Sequence, residues 1–200
     1  MPVQFESSYI GGDVVVLVPV VHCDDRGFLM ETYRADNFRD LGLPTEWVQD
    51  HHSRSSKGVL RGLHFQWDPP MSKLMRVTRG AAFFVAVDIR KGSPTLGQWF
   101  GLETTADNKK QVYAPYGIAR GYCALTDECE VQYKCTGIYN PAGESVIYYK
   151  DPEIGIEWPL EDVLVSGRDA KAQSLKQWLA SPLSDNIVYQ SKTPFAGGVK

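Results

Sequence analysis

The sequence predicts an all-β sandwich or barrel with only short helices. Three observations predict it. Short runs rich in Val, Ile, Tyr, Phe and Thr recur along most of the chain. Gly, Pro, Asn and Asp clusters interrupt them at short intervals. Aromatic residues are abundant, with 5 Trp, 10 Tyr and 8 Phe, and they favour pleated, half-buried surfaces. Many short strands at regular spacing mark a sandwich or barrel rather than an alternating α/β fold.

The elements follow in order. Val14–Val21 is the first apolar run, and Thr45–Asp50 follows a Gly-Leu-Pro break. Val59–Trp67, Leu74–Thr78 and Ala81–Ile89 come next, divided by Asp68-Pro69-Pro70 and Arg79-Gly80. Gln98–Glu103, Gln111–Ala114, Tyr122–Leu125, Cys129–Thr136 and Val146–Lys150 complete the set. Two stretches read as helix: Arg34–Leu41, stopped by Gly42, and Ala170–Ala180, with Leu175, Trp178 and Leu179 on one stripe. Ser166 or Asp169 is placed to cap the second. The chain reads as one domain over residues 1–182, followed by an extended or loosely ordered tail over 183–200, where Pro194 and Gly197-Gly198 fall.

Composition excludes several function classes. The net charge is −3, from 21 Lys+Arg against 24 Asp+Glu, so a general basic field for nucleic acid is absent. The longest apolar run, Val14–Val21, has eight residues and contains Pro19, whereas a membrane span needs about 20. The first ten residues carry Glu6 and no basic region, so no secretory signal is expected. Cys23, Cys123, Cys129 and Cys135 form no CxxC pair and read as reduced, mostly buried thiols of a cytoplasmic protein. No nucleic-acid or membrane partner is expected.

Strand alternation assigns faces. Cys129, Val131, Tyr133 and Cys135 share one face, so Tyr133 points inward among apolar neighbours. Lys73, one residue before its strand, falls on the face of Met75 and Val77. Arg61 and His64 point apart in a perfect strand, unless Gly62 marks a bulge.

Of four histidines, His64 stands in the most unusual context, Gly-Val-Leu-Arg-Gly-Leu-His-Phe-Gln, and is a candidate general base. A barrel metal site of the HxH…PxGxxH type is not expected. The corresponding positions read His64-Phe65-Gln66 and Pro115-Tyr116-Gly117-Ile118-Ala119-Arg120, and an arginine has no lone pair to offer a cation. The adjacent His51 and His52 point to opposite faces of a strand. No GxSxG, Walker loop or helix-opening GxGxxG is present, so neither a nucleophilic serine nor a dinucleotide cofactor is expected.

Seven stretches together resemble the dTDP-4-dehydrorhamnose 3,5-epimerase family. They are DDRGFLMETYR (24–34), VQDHHSRSSKGVLRGLHFQ (48–66), KLMRVTRG (73–80), VAVDIRKGSPTLGQW (85–99), APYGIARGY (114–122), YKCTGIYNP (133–141) and DPEIGIEWP (151–159). The resemblance runs from about residue 20 to 180 in the family's order. It implies a cupin jelly-roll barrel with short peripheral helices and a C-terminal helix, and a homodimer with strand exchange. It also implies cofactor-independent epimerisation of a nucleotide-diphosphate 4-keto-6-deoxy sugar.

By position the resemblance makes His64 the base, Asp169 its carboxylate partner, Tyr133 the proton donor and Lys73 the residue near the C4 oxygen. Arg26, Glu31, Gln49, Asp50, Arg61, Tyr139, Glu144 and Arg168 match binding positions, some of them contributed by the partner subunit. Three positions depart from the family: His51 replaces Asn, Phe84 replaces Asp and Arg120 replaces His. His51 bears on the nucleotide, Phe84 removes a carboxylate near the sugar, and Arg120 places a fixed positive charge by the phosphate or the enolate. Inversion at C3 with or without C5, and a dTDP, CDP or GDP carrier, all stay open. So do two other readings, a catalytically silent sugar-nucleotide-binding cupin and a metal-dependent oxygenase.

Overall fold

A computed structural model describes residues 3–190. The turn-punctuated short runs of the sequence become two antiparallel sheets packed face to face. The first contains β1 (Val3–Tyr9), β2 (Val14–Pro19), β5 (Gln49–Ser55), β7 (Lys73–Arg79), β10 (Gln111–Ala114) and β12 (Cys129–Cys135), in the order β1-β2-β10-β7-β12-β5. The second contains β6 (Leu60–Gln66), β8 (Ala81–Asp88), β9 (Trp99–Thr105), β11 (Ile118–Ala124) and β13 (Glu144–Val146), in the order β13-β6-β11-β8-β9. Non-consecutive strands lie side by side in both, as the jelly-roll form of the all-β class requires. The remaining pair, β3 (Val21–Asp24) and β4 (Gly27–Met30), forms a separate two-stranded sheet.

Alternation explains the core. Val14 and Val16 of β2, Met75 and Val77 of β7, and Cys129 and Val131 of β12 face Ala82, Phe84 and Ala86 of β8 and Tyr122 and Ala124 of β11. Tyr133 packs against the same cluster, as its place in the alternation predicts. The expected buried thiols are found at Cys123, Cys129 and Cys135, while Cys23 is exposed. A second cluster, with Leu63, Phe65, Val85 and Val87, is closed by Trp178 and Ile187 on the outer face of the second sheet.

Several boundaries differ from the sequence reading. The expected strand at Thr45–Asp50 is displaced to β5, whose Gln-Asp-His-His-Ser-Arg-Ser run is too polar to announce a strand but lies at a sheet edge. β1 and the β3–β4 hairpin were not expected, because exposed positions dilute their apolar pattern. The expected Val146–Lys150 strand is instead the three-residue β13. The helix expected over Ala170–Ala180 is two helices, α2 (Gly167–Ala170) and α3 (Leu175–Ala180); α1 (Ala35–Asp40) falls where Arg34–Leu41 was read. Ser166, not Asp169, caps α2, accepting from the Asp169 amide. The break has a cause: Ser174 starts α3 afresh through a capping box with Gln177.

The tail expectation also needs correction where it can be seen. Pro182–Asn186 forms a 3₁₀ helix and Ile187 is fully buried, so the chain stays packed beyond residue 182. Residues 191–200 of that expected tail lie outside the described residues. Among the described residues no helix is long and apolar enough to cross a membrane.

Candidate functional site

A cavity of about 230 Å³ opens at one end of the barrel. His64, Lys73, Arg120, Tyr133, Glu144 and Arg168 line it, with His51, Gln66 and Tyr139. Four strands carry the chemistry: β6 brings His64, β7 Lys73, β11 Arg120 and β12 Tyr133. A larger depression of about 330 Å³ shares only His51 and Tyr133 with it and is otherwise lined by residues such as Asp50, Arg76 and Lys134. His64, Lys73 and Arg120 converge in the smaller one, which is therefore the candidate active site.

The bulge allowed for at Gly62 is present. Arg120 pairs with His64 and Tyr122 with Arg61, so Gly62 and Leu63 together oppose Gly121 alone. Two residues against one reverse the alternation locally, and Arg61 and His64 come to the same side. Only glycine permits it. Gly62 has φ +129°, and a Cβ there would stand 2.6 Å from the Gly121 Cα and 2.9 Å from the Arg120 carbonyl oxygen.

His64 Nε2 lies 2.9 Å from Asp169 Oδ1. The carboxylate is buried, its side chain only 4% exposed. Burial alone would raise its pKa, but hydrogen bonds from His64, the Gly62 amide and Ser166's turn outweigh that and hold it below the ordinary carboxylate value. An ionised Asp169 accepts a hydrogen bond from the His64 Nε2–H, a tautomer that leaves a lone pair on Nδ1. Asp169 reaches this point because α2 is tied down on both sides. Ser166 caps it, and α3 beyond it is anchored by Trp178, whose ring meets Phe65 edge-on at 4.7 Å. Burying such a side chain contributes about 2–3 kcal/mol.

Tyr133 stands on the opposite sheet. Burial, with Cys135 and Tyr122 adding and Arg61 and Arg120 opposing, pushes its phenol up to about 12. It therefore keeps its proton throughout the neutral range. Lys73 Nζ sits 4.6 Å from the centre of the Tyr133 ring. Desolvation and the charge of Arg120 lower Lys73 to about 8, so at neutral pH it is mostly charged and close to its titration. His51 stacks on Tyr133 at 4.9 Å, and burial and Lys73 lower its pKa. At the mouth, Glu144 accepts from the Tyr139 hydroxyl and from Arg168.

Other expected residues take different places. Gln49 supports the mouth by accepting the Tyr139 amide at 2.8 Å. Asp50 faces the larger depression and pairs with Lys134. Arg61 donates to Ser55 Oγ at 3.1 Å. Within this chain Arg26 and Glu31 are not part of the cavity wall: Arg26 pairs with Asp24 at the hairpin turn, and Glu31 meets Arg34. Phe84, expected near the sugar, is instead 1% exposed in the barrel core, edge-on to Tyr122. Its aromatic ring belongs with the apolar residues that surround it. Sequence reasoning did not select Gln66 or Met71. Gln66 lies two residues from His64 on the same face, the signal that would have found it; its amide holds the Pro69 and Ile138 carbonyls. Among the described residues no three His, Cys, Asp or Glu side chains converge as a metal-binding set.

A histidine held by a buried carboxylate, a protonated tyrosine and a lysine in one jelly-roll cavity define a protein equipped for acid–base chemistry. The comparisons with known proteins agree. The family model for dTDP-4-dehydrorhamnose 3,5-epimerase matches residues 11–177, and the chain belongs to that family. The dTDP-4-dehydrorhamnose 3,5-epimerase of Methanothermobacter thermautotrophicus is 46% identical over 178 residues, 88% of this chain and 92% of the relative. A dTDP-4-dehydrorhamnose 3-epimerase of Streptomyces niveus is 39% identical over 163 residues, 80% of this chain and 79% of the relative. The crystal structure of dTDP-6-deoxy-D-glucose-3,5-epimerase from Legionella pneumophila Philadelphia 1, in complex with dTDP-4-keto-L-rhamnose, superposes with a TM-score of 0.89. It is 40% identical, and the match covers 94% of this chain and 100% of that one.

Proposed function

We propose that the protein inverts C3, and C5 where the sugar allows, of a nucleotide-diphosphate-linked 4-keto-6-deoxyhexose in deoxysugar biosynthesis. The observation that carries this is the pairing of an oriented base, His64 on Asp169, with a protonated phenol, Tyr133, in the same cavity. The C4 ketone acidifies the C–H bonds on either side of it. His64 Nδ1 takes the proton from carbon, and the electron pair moves into an enolate whose charge rests on the C4 oxygen. Lys73 stabilises that charge, and Asp169 stabilises the imidazolium. Tyr133 then returns a proton to the carbon from the other face, and solvent exchange restores both groups. No redox step occurs, so no cofactor is needed.

Glu144 and Arg168 form the rim that meets the nucleotide diphosphate. A homodimer supplies the remainder, with Arg26 and Glu31 reaching the partner's cavity. That reading is supported by the β3–β4 hairpin, which is a separate sheet whose Phe28 and Leu29 are exposed, Leu29 at 74%. Light scattering that finds a monomer would remove it.

Incubation with dTDP-, CDP- and GDP-4-keto-6-deoxyglucose in deuterated water tests the function. Deuterium at C3 and C5 reports double epimerisation, and at C3 alone single epimerisation. No incorporation from any of the three overturns the enzyme reading, and calorimetry that still finds binding would then indicate a silent sugar-nucleotide receptor.

A further inference from the structure

Among the described residues no carboxylate is bonded to the buried cation of Arg120. Arg120 is 3% exposed on β11, the central strand of its sheet, directly opposite His64 in register. Its Nη1 and Nη2 donate to the Ile118 and Met71 carbonyls, each at 2.8 Å. Its Nε is buried with no hydrogen-bond partner among the described residues. The same cavity holds a second cation, Lys73. Arg120 is buried and Lys73 half-buried, and two like charges drawn out of water in this way repel and are expensive to desolvate. Among the described residues the carboxylate in the cavity wall is Glu144, and it is engaged at the mouth by Arg168 and Tyr139. A cavity that holds two cations in this way is organised for negative charge that arrives from outside.

Two anions belong to the proposed substrate: the diphosphate and the oxygen that becomes anionic during reaction. Depth decides between them. Arg168, half exposed at the rim, is placed for a hydrated diphosphate. Arg120 lies at the level of the base. We infer that Arg120, together with Lys73, stabilises the negative charge developing on the C4 oxygen, and that it is a specificity-neutral, rate-determining charge rather than a diphosphate ligand. This rests on the epimerase reading above. A fixed guanidinium stays charged where Lys73 titrates, so it holds the field on the oxygen above the pH at which the lysine loses its proton. The groups facing Lys73 are Arg120 from β11, Tyr133 and Cys135 from β12, His51 from β5 and Glu144 from β13. Of these only Arg120 lowers its pKa by charge.

The test compares wild type with Arg120→Gln and Arg120→Lys, following deuterium incorporation at C3 against pH. Wild-type exchange comes first: its absence fails the epimerase reading and this inference with it. Given exchange, R120Q is expected to lose about 100-fold in kcat, the scale of one oxyanion-stabilising group, with KM within about threefold. Its alkaline limb should move up by about one unit as Lys73 is relieved of a like charge. R120K should recover most of kcat. Three results overturn the inference while leaving the function intact: KM rising with kcat unchanged, which assigns Arg120 to the diphosphate; equal losses in R120Q and R120K; or an unmoved alkaline limb. If R120Q does not fold, Arg120→His, neutral at alkaline pH, carries the same comparison.

Discussion

Replacing Asp169 by Asn removes one charge from the His64 partner and leaves its shape. The structure sets the size of the effect. The bond to Nε2 is 2.9 Å long and the carboxylate is buried, so no water substitutes for it. A hydrogen bond of this charge-assisted kind contributes about 1.5–3 kcal/mol. The contribution grows as the imidazole becomes cationic, so it falls on the transition state rather than on bound substrate. At about 1.4 kcal/mol per tenfold, D169N should lower kcat by roughly 10- to 150-fold with KM nearly unchanged. The Ser166 cap uses the backbone amide of residue 169 and survives the change. Deuterium incorporation at C3 under single-turnover conditions measures this, with His64→Asn as the floor. A D169N rate within about threefold of wild type, in a protein of normal thermal stability, would refute the reasoning that His64 is oriented by this carboxylate.

Other outcomes follow from the same geometry. Tyr133→Phe should still exchange the C3 proton with solvent but return it to its original face; measurable inversion by the variant would show that the phenol is not the donor. Lys73→Met should lose at least about a hundredfold in kcat yet unfold at higher temperature near pH 7. Lys73 titrates at about 8 folded against 10.5 unfolded, so its charge costs the fold about 3 kcal/mol below pH 8. Between those pH values the unfolded chain binds the proton that the folded chain has released, so wild-type stability gains from this residue as pH rises, and K73M should lack that gain. Gly62→Ala forces a Cβ to within 2.6 Å of the Gly121 Cα and should destabilise by roughly 2 kcal/mol or more in denaturant melts.

The candidate site was legible to an unequal degree. Alternation put Tyr133 and Lys73 on the inner faces of their strands, and both line the cavity. It could not choose between the two possible relations of Arg61 and His64, because a bulge depends on how β6 meets β11 across the sheet. Phe84 shows the opposite failure. Its position in the motif suggested the sugar, but neither cavity reaches it, and the apolar core holds its ring. The helix expected over Ala170–Ala180 is interrupted because its apolar stripe, Leu175, Trp178 and Leu179, lies wholly within α3, and Ser174 with Gln177 starts that helix afresh.

By itself the sequence determined the β class, the inner face of the strands that carry Tyr133 and Lys73, the family and the chemical types on hand. These depend on period, composition and motif order, which are local properties. Only the tertiary structure decided which of those groups meet. His64 and Asp169 are separated by 105 positions and joined by one hydrogen bond. Arg120 and Lys73 share a cavity because β11 and β7 face each other from different sheets. Their mutual repulsion depends on separation and burial, and neither quantity exists until the two sheets have packed.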